Sequence, residues 1–355
     1  MPAAKVYFAP LADKTPPDKI ERRLKDILSA AAFEKYILEK DFVAVKTHFG
    51  EKGNVTHVPP HFFKPLTARI KQAGGRPFLV ETSTLYKGNR SDAPAHLELA
   101  ASHGFTLENT GMVVMMADGL KGDSEIEVEI SKKPRIVVNV AGLLQKIHNL
   151  VVVSHPTGHM GMCFGGTIKN LGMGLSSRKG KLVQHSSVKP FIKGDKCTGC
   201  GRCIQWCPED AIIMENKIAR IDNGKCIGCG ECLTECRYDA VAFSWEMDKT
   251  RIQEMTAEHA YGVVKDKTCF FINYLVNFTK DCDCFGTAKK PVIDDIGLLA
   301  SNDPVAVDEA AITLIEERNN KPLSEIINPE LDPRVQTRHG EKIGLGKRKY
   351  ELIEC

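Results

Sequence analysis

Eight of the thirteen cysteines fall between residues 197 and 236, in two runs, CTGCGRCIQWCP and CIGCGECLTECR. Both runs keep the spacing C-x2-C-x2-C-x3-C, with Cys197, Cys200, Cys203 and Cys207 in the first and Cys226, Cys229, Cys232 and Cys236 in the second. Each cysteine of the second run follows its counterpart by 29 residues, and the flanking PEDAI and RYDAV also correspond, so the segment is an internal duplication. Two-residue gaps let one loop set three thiolates around one face of an iron–sulfur cube, and the fourth cysteine of each run ligates the other cluster. The expected sets are Cys197, Cys200, Cys203 and Cys236 for one [4Fe–4S] cluster, and Cys226, Cys229, Cys232 and Cys207 for the second. CxxC pairs also bind zinc, but eight cysteines in a duplicated three-plus-one spacing favour two cubes. Arg237 stands where proline usually follows the fourth cysteine, which adds a positive charge near one cluster without removing a ligand.

A second constellation lies upstream. Residues 155–174 read HPTGHMGMCFGGTIKNLGMG, with six glycines, two histidines, one cysteine and one lysine. Packing does not select that composition, since glycine adds no apolar area and loses the most entropy on folding. The phosphate-loop pattern fails because Thr167 follows Gly166 directly, and GxGxxG fails as well. Two readings stay open. One is a structural turn whose histidines are satisfied by the backbone. The other is a reactive pocket in which amides freed by glycine face a ligand. In that pocket His155 and His159 exchange protons or ligate metal, Lys169 holds an anion, and Lys46 and His48 of KTHFG assist. Gly158, Gly165, Gly166 and Asn170, with Cys282 and Cys284 of DCDCFG, are then the cofactor-binding residues. The C-x-C pair is equally readable as buried, unreactive thiols. Cys163 is similarly ambiguous, and Cys269 and Cys355 read as structural.

The elements that must position these residues alternate as in α/β proteins. Strands are predicted at 5–10, 41–50, 76–84 and 150–154, with weaker ones near 105–109, 125–130 and 135–140. Helices are predicted within 18–39, where Ile20, Leu24, Ile27 and Leu28 keep helical spacing, and over 60–73, closed by Gly74-Gly75. The pattern stops at the cysteines and resumes after about residue 260 with FFINYLVNF and PVIDDIGLLAS. A further helix begins at DPVAVDEAA, with Asp303 as N-cap and Pro304 at the first helical position. The tail from about residue 320 carries little signal. The expected fold is an α/β domain with a mostly parallel sheet, built from residues 1–187 and 246–355. It is split by an inserted α+β domain, residues 188–245, that holds the two clusters. Loops at the carboxyl edge of such a sheet converge, so His155, His159 and Lys169 are expected to line one cleft with Lys46, His48 and Tyr86, faced by the nearer cluster.

The chain has 355 residues, 43% of them hydrophobic and 26% charged, with a net charge of +3. A balance so near neutrality gives no reason to expect nucleic-acid or membrane binding. No apolar run reaches the ~18 residues of a membrane helix, and MPAAKVYFAP lacks the apolar core of a signal peptide. A cytoplasmic location is expected, where thiols stay reduced and thirteen cysteines argue for metal or redox use.

The stretches KTHFGEKGN, GGRPFLVETSTLYKGNR, SHPTGHMGMCFGGTIKNLGMGLSSRKGK, DCDCFG and DIGLLASNDPVAVDEAA together resemble the iron–sulfur centre proteins of domain of unknown function 362. Those proteins often carry an inserted two-cluster ferredoxin, and the resemblance spans roughly residues 5–318. It implies the fold and the clusters but no settled reaction. Thr157 departs from the pattern, in which lysine is often expected between the two histidines. A fainter likeness exists to the lactate racemase family, whose nickel-pincer cofactor is attached to lysine in a histidine–glycine–glycine–lysine segment. His159, Gly165, Gly166 and Lys169 follow the same order.

The function expected from these readings is an iron–sulfur oxidoreductase that delivers electrons to a small molecule or further cofactor in the α/β domain. An electron donor or acceptor protein is its expected partner. The alternatives are a non-catalytic electron carrier or scaffold for a partner enzyme, and racemase-like chemistry on a lysine-bound cofactor.

Overall fold

The computed structural model describes residues 3–185, 189–243, 248–287 and 290–355. The expected domain boundaries at 187/188 and 245/246 lie outside the described residues.

Eight strands form one sheet: β1 (Ala4–Pro10), β2 (Phe42–Lys46), β3 (Arg76–Glu81), β4 (Val114–Met116), β5 (Asn149–Ser154), β6 (Thr268–Leu275), β7 (Gly297–Ser301) and β8 (Tyr350–Glu354). Their spatial order is β8-β1-β7-β6-β5-β2-β3-β4. All run parallel except β7, which is antiparallel to both of its neighbours, β1 and β6. The sheet therefore joins strands that precede the cysteine-rich segment to strands that follow it, with β5 and β6 paired from Asn149/Thr268 to Ser154/Asn273.

The central strand β5, NLVVVS, is buried along its whole length. Its alternate residues face opposite sides, as the two-residue period of a strand requires. Leu150 and Val152 join one core with helices Thr167–Gly172, Lys249–Val264 and Pro304–Asn319, while Val151 and Val153 join the other with helices Pro17–Ala30 and Phe63–Gln72. A strand covered on both faces reads as a continuous apolar run, which is why the sequence marks it so plainly. Helix Pro17–Ala30 buries Ile20, Leu24, Ile27 and Leu28. Asp303 caps helix Pro304–Asn319, its carboxylate accepting from the N–H groups of Val305 and Ala306 at 3.0 and 2.9 Å.

Three expectations need correction. The stretch near 105–109 is no strand: Leu107–Thr110 is a short helix, started by the Thr106 hydroxyl accepting from Asn109 N–H and stopped by Gly111 in the left-handed region. The patterns near 125–130 and 135–140 are strands, but Glu125–Lys132 and Arg135–Ala141 pair antiparallel as a separate ribbon, outside the large sheet. The tail is structural as well. It supplies helices Leu323–Ile327 and Val335–Ile343 and the edge strand β8, which pairs with β1.

The cysteine-rich segment has its own small core, in which Cys203, Ile212, Ala219, Cys232, Leu233 and Cys236 pack together. Leu85, from the loop after β3, and Leu182, from helix Arg178–His185, complete that core. The sequence duplication is repeated in the backbone. Gly199 and Gly228, Gly201 and Gly230, and Asp210 and Asp239 all have positive φ at the same 29-residue offset. Gly201 and Gly230 each open a short helix, Arg202–Gln205 and Glu231–Glu235.

Candidate functional site

Because β2, β3, β5 and β6 are parallel and contiguous in the order β3-β2-β5-β6, the loops at their carboxyl ends meet at one edge of the sheet. They carry Thr47–Asn54, Thr82–Asp92, His155–Gly166 and Val276–Asp295.

At the centre are Cys282 and Cys284. The Cys284 sulfur lies 3.5 Å from His48 Nε2. A hydrogen bond from the Cys282 thiol holds Cys284 well below the usual thiol range, with Lys169 and His48 working in the same direction against burial. Burial alone would lower Lys169, but the adjacent sulfurs of Cys282 and Cys284 raise it, and Lys169 bonds to the Cys282 sulfur. Gly50 N–H donates to His48 Nδ1 at 2.9 Å, and His48 Nε2 meets Arg90 Nη1 at 2.7 Å as well as the Cys284 sulfur, so both ring nitrogens are engaged.

Arg90 was not singled out from sequence, although it closes the quoted ETSTLYKGNR loop. Its Nε pairs with Glu51 at 3.1 Å, and its guanidinium also bonds the Tyr86 hydroxyl. Asp283, between the two cysteines, points the other way. Its carboxylate accepts from Thr56 Oγ1 at 2.7 Å, Asn54 Nδ2 at 3.2 Å and His155 Nδ1 at 2.8 Å. Pinning Asp283 on one side leaves both cysteines facing the cleft.

Of the predicted site residues, Lys169, His48, Cys282 and Cys284 come together. His159 stands close enough to Lys169 to feel its charge. Burial first, then Lys169, lowers its pKa well below the ordinary value, and its Nδ1 accepts from Gly161 N–H at 3.1 Å. His155 is engaged on both nitrogens, by Asp283 and by the Val276 carbonyl at 2.9 Å, and its side chain is 1% exposed. That leaves it no free nitrogen for proton exchange; it orients Asp283. Lys46 is fully buried against Glu81 at 2.8 Å and Asn170 Oδ1 at 2.7 Å. Asn170 in turn donates to Val153 O and Ser154 Oγ, so both residues brace the sheet edge.

The glycines also serve the fold. The amides of Thr167 and Ile168, directly after Gly166, each donate to the Asp308 carboxylate at 2.8 Å. Gly166 is glycine because a Cβ there would collide with that carboxylate, and Gly158 because a Cβ would collide with the Lys280 carbonyl. Gly165 gives the same freedom to the Lys169 side chain. Asp308 itself was missed, its single acidic position in a helix being indistinguishable from a solvated one.

In the duplicated segment, four thiols, Cys207, Cys226, Cys229 and Cys232, line one small pocket. Burial, then Cys229, Cys226, Cys203 and Cys207, push the Cys232 thiol up. Burial, then Cys200, Cys236 and Cys197, push up Cys203. Crowded thiolates repel, and a group carrying iron charge allows them to ionise together. Ala211 N–H and Ala219 N–H point at the sulfurs of Cys207 and Cys197, at 3.2 and 3.4 Å. Among the described residues, no three His, Cys, Asp or Glu side chains converge on a single metal ion. Four cysteine sulfurs lining one pocket fit the donor set of an iron–sulfur cube.

The loop after β3 touches both regions. Tyr86 and Arg90 face the cleft, while Lys87 Nζ donates to the Cys236 carbonyl at 2.6 Å and pairs with Asp239. Lys121 with Glu235, and Arg178 Nη1 with Thr234 Oγ1 at 2.8 Å, add further ties.

A family model described as domain of unknown function (DUF362) matches residues 43–313. The chain belongs to the DUF362 family. The DUF362 match starts in β2 and ends in helix Pro304–Asn319, so it includes every cleft loop and the cysteine-rich segment. Pyruvate synthase subunit PorD from Methanothermobacter marburgensis is 43% identical over 54 residues, which are 15% of this chain and 63% of that subunit, under two thirds of its length. Among solved structures, the lactate racemase apoprotein from Thermoanaerobacterium thermosaccharolyticum is similar with a TM-score of 0.44 and 10% identity, over 89% of this chain and 57% of that one. A protein from Thermotoga maritima gives a TM-score of 0.37 and 9% identity, over 74% and 52%. This DUF362 chain thus spans little more than half the length of either solved structure. No helix among the described residues is long and apolar enough to cross a membrane.

Proposed function

We propose that residues 189–243 form a two-[4Fe–4S] ferredoxin-like insertion, and that the chain is an oxidoreductase passing electrons from it into the cleft of the α/β domain. Cys197, Cys200, Cys203 and Cys236 hold one cluster, and Cys226, Cys229, Cys232 and Cys207 the other. When bound, the clusters supply one-electron transfer. The observation that carries this reading is the single loop 82–92, which contacts the cysteine segment through Leu85 and Lys87 and the cleft through Tyr86 and Arg90. In the cleft, Lys169 and Arg90 attract an anionic small molecule, and His48 stands beside the Cys284 sulfur. His159, kept neutral, offers hydrogen bonding without adding charge.

Anaerobic analysis tests the reading. About eight iron and eight acid-labile sulfide per chain are expected, falling to about half in Cys200→Ala and in Cys229→Ala. Bound zinc without sulfide refutes it. A carrier role for a partner enzyme is the second reading, favoured by the match to a subunit of pyruvate synthase. Native mass spectrometry separates the two: a co-purified small molecule lost in Lys169→Ala supports the oxidoreductase, and its absence beside rapid electron exchange with a protein partner supports the carrier. A mass increment on Lys169 itself selects the racemase-like alternative.

A further inference from the structure

We propose that Cys282 and Cys284 are a redox-active dithiol–disulfide couple, opened by electrons that reach it from the cysteine-rich segment across loop 82–92. This deepens the proposed function, on which it rests only for its electron supply.

Geometry carries the first half. Two residues of fully extended chain span roughly 7 Å, at the far limit of the ~4.4–6.8 Å that a disulfide allows between Cα atoms. Here the chain is turned back: Phe285 N–H donates to the Cys282 carbonyl at 3.1 Å, closing a β-turn around Asp283 and Cys284. The Asp283 side chain is held away by Thr56, Asn54 and His155, and its carbonyl accepts from Glu51 N–H at 3.0 Å. Both sulfurs are thus left on one side and in hydrogen-bond contact. Cys282 is 7% exposed and Cys284 is more open, the usual division between a resolving and an attacking sulfur.

The surroundings carry the second half. Lys169, His48 and Arg90 surround the pair with positive charge and donors, which stabilise a thiolate leaving an S–S bond. Reduction balances simply. The Cys282–Cys284 bond takes up two electrons and one proton, breaking to a thiol at Cys282 and a thiolate at Cys284. The proton passes from solvent through the Lys169 ammonium. The electrons come from a low-potential one-electron donor protein by way of the cysteine-rich segment, whose clusters, when bound, would supply one-electron transfer.

The test uses the full chain, purified anaerobically with its metal complement. It is oxidised with diamide, alkylated and cut with trypsin, and the peptide beginning at Asp281 is weighed. The couple predicts no alkyl groups on that peptide after oxidation, two after exposure to reduced methyl viologen, and one in Cys284→Ser under both conditions. Two alkyl groups after oxidation overturn the proposal. In protein stripped of iron, methyl viologen should open the bond at least tenfold more slowly, while dithiothreitol still opens it. Equal rates with and without iron overturn delivery through the segment. Iron and sulfide measured on the same sample keep the readings apart: if neither is bound yet the bond still forms and opens with dithiothreitol, the cluster assignment and the delivery claim fail together and the couple stands.

Discussion

His155 Nδ1 and Asp283 Oδ2 sit 2.8 Å apart in a pair whose side chains are 1% and 5% exposed, and this contact ties the loop after β5 to the one after β6. Burial alone would lower His155, but Asp283 raises it above its ordinary 6.5, while His155 in turn overcomes burial to hold Asp283 below its ordinary 3.8. The histidine's contribution is complete below 6.5 and is lost as pH rises through its raised folded value. The aspartate's is complete above 3.8 and fades as pH falls through its depressed value. His155→Leu should therefore cost about 3 kcal/mol in the window between those two pH values, and less on the alkaline side. Urea unfolding across that range checks the sign; a gap that widens with rising pH contradicts the pairing.

Lys46 and Glu81 join β2 to β3 in the same way, at 0% and 3% exposure. Lys46→Met leaves a buried carboxylate without its partner and should cost on the order of 3 kcal/mol. Adding Glu81→Leu should restore most of that loss, because the desolvated charge is gone as well. If the double variant is as unstable as the sum of the single ones, the lysine has a role beyond pairing.

Gly158 separates a fold requirement from a ligand requirement. A Cβ there meets the Lys280 carbonyl and Ile327, whereas at Gly161 the nearest atom is His159 at 3.8 Å. Gly158→Ala should cost about 1–3 kcal/mol and speed alkylation of Cys282 by displacing the loop that carries it. Gly161→Ala should leave both unchanged. Equal behaviour of the two variants argues against the close approach.

Asp308→Ala strands the amides of Thr167 and Ile168 and should lower stability by about 2 kcal/mol. Asp308→Asn, which keeps one acceptor, should fall between it and wild type. Hydrogen exchange at those two amides reports the change directly; protection that survives in Asp308→Ala means another group holds them.

The duplicated cysteine spacing, the buried run of β5 and the cap at Asp303 were legible in the sequence because each is a local pattern. Ligand spacing, strand period and N-cap chemistry all act within a few residues. The convergence of the glycine-rich loops was legible too, as a consequence of parallel order. What each side chain does there was not. Lys46 and His155 read as chemistry, and their closure into buried pairs could not be read from the sequence, because the partners Glu81 and Asp283 lie 35 and 128 residues away. The glycines read as a ligand cradle, and the hold of Asp308 on the next two amides, Thr167 and Ile168, was invisible because it lies 140 residues beyond Ile168. Arg90 and Asp283 gained their significance only when loops from four strands met. Charge pairing in a low-dielectric site is decided by neighbours in space, and only the tertiary structure brings those neighbours together.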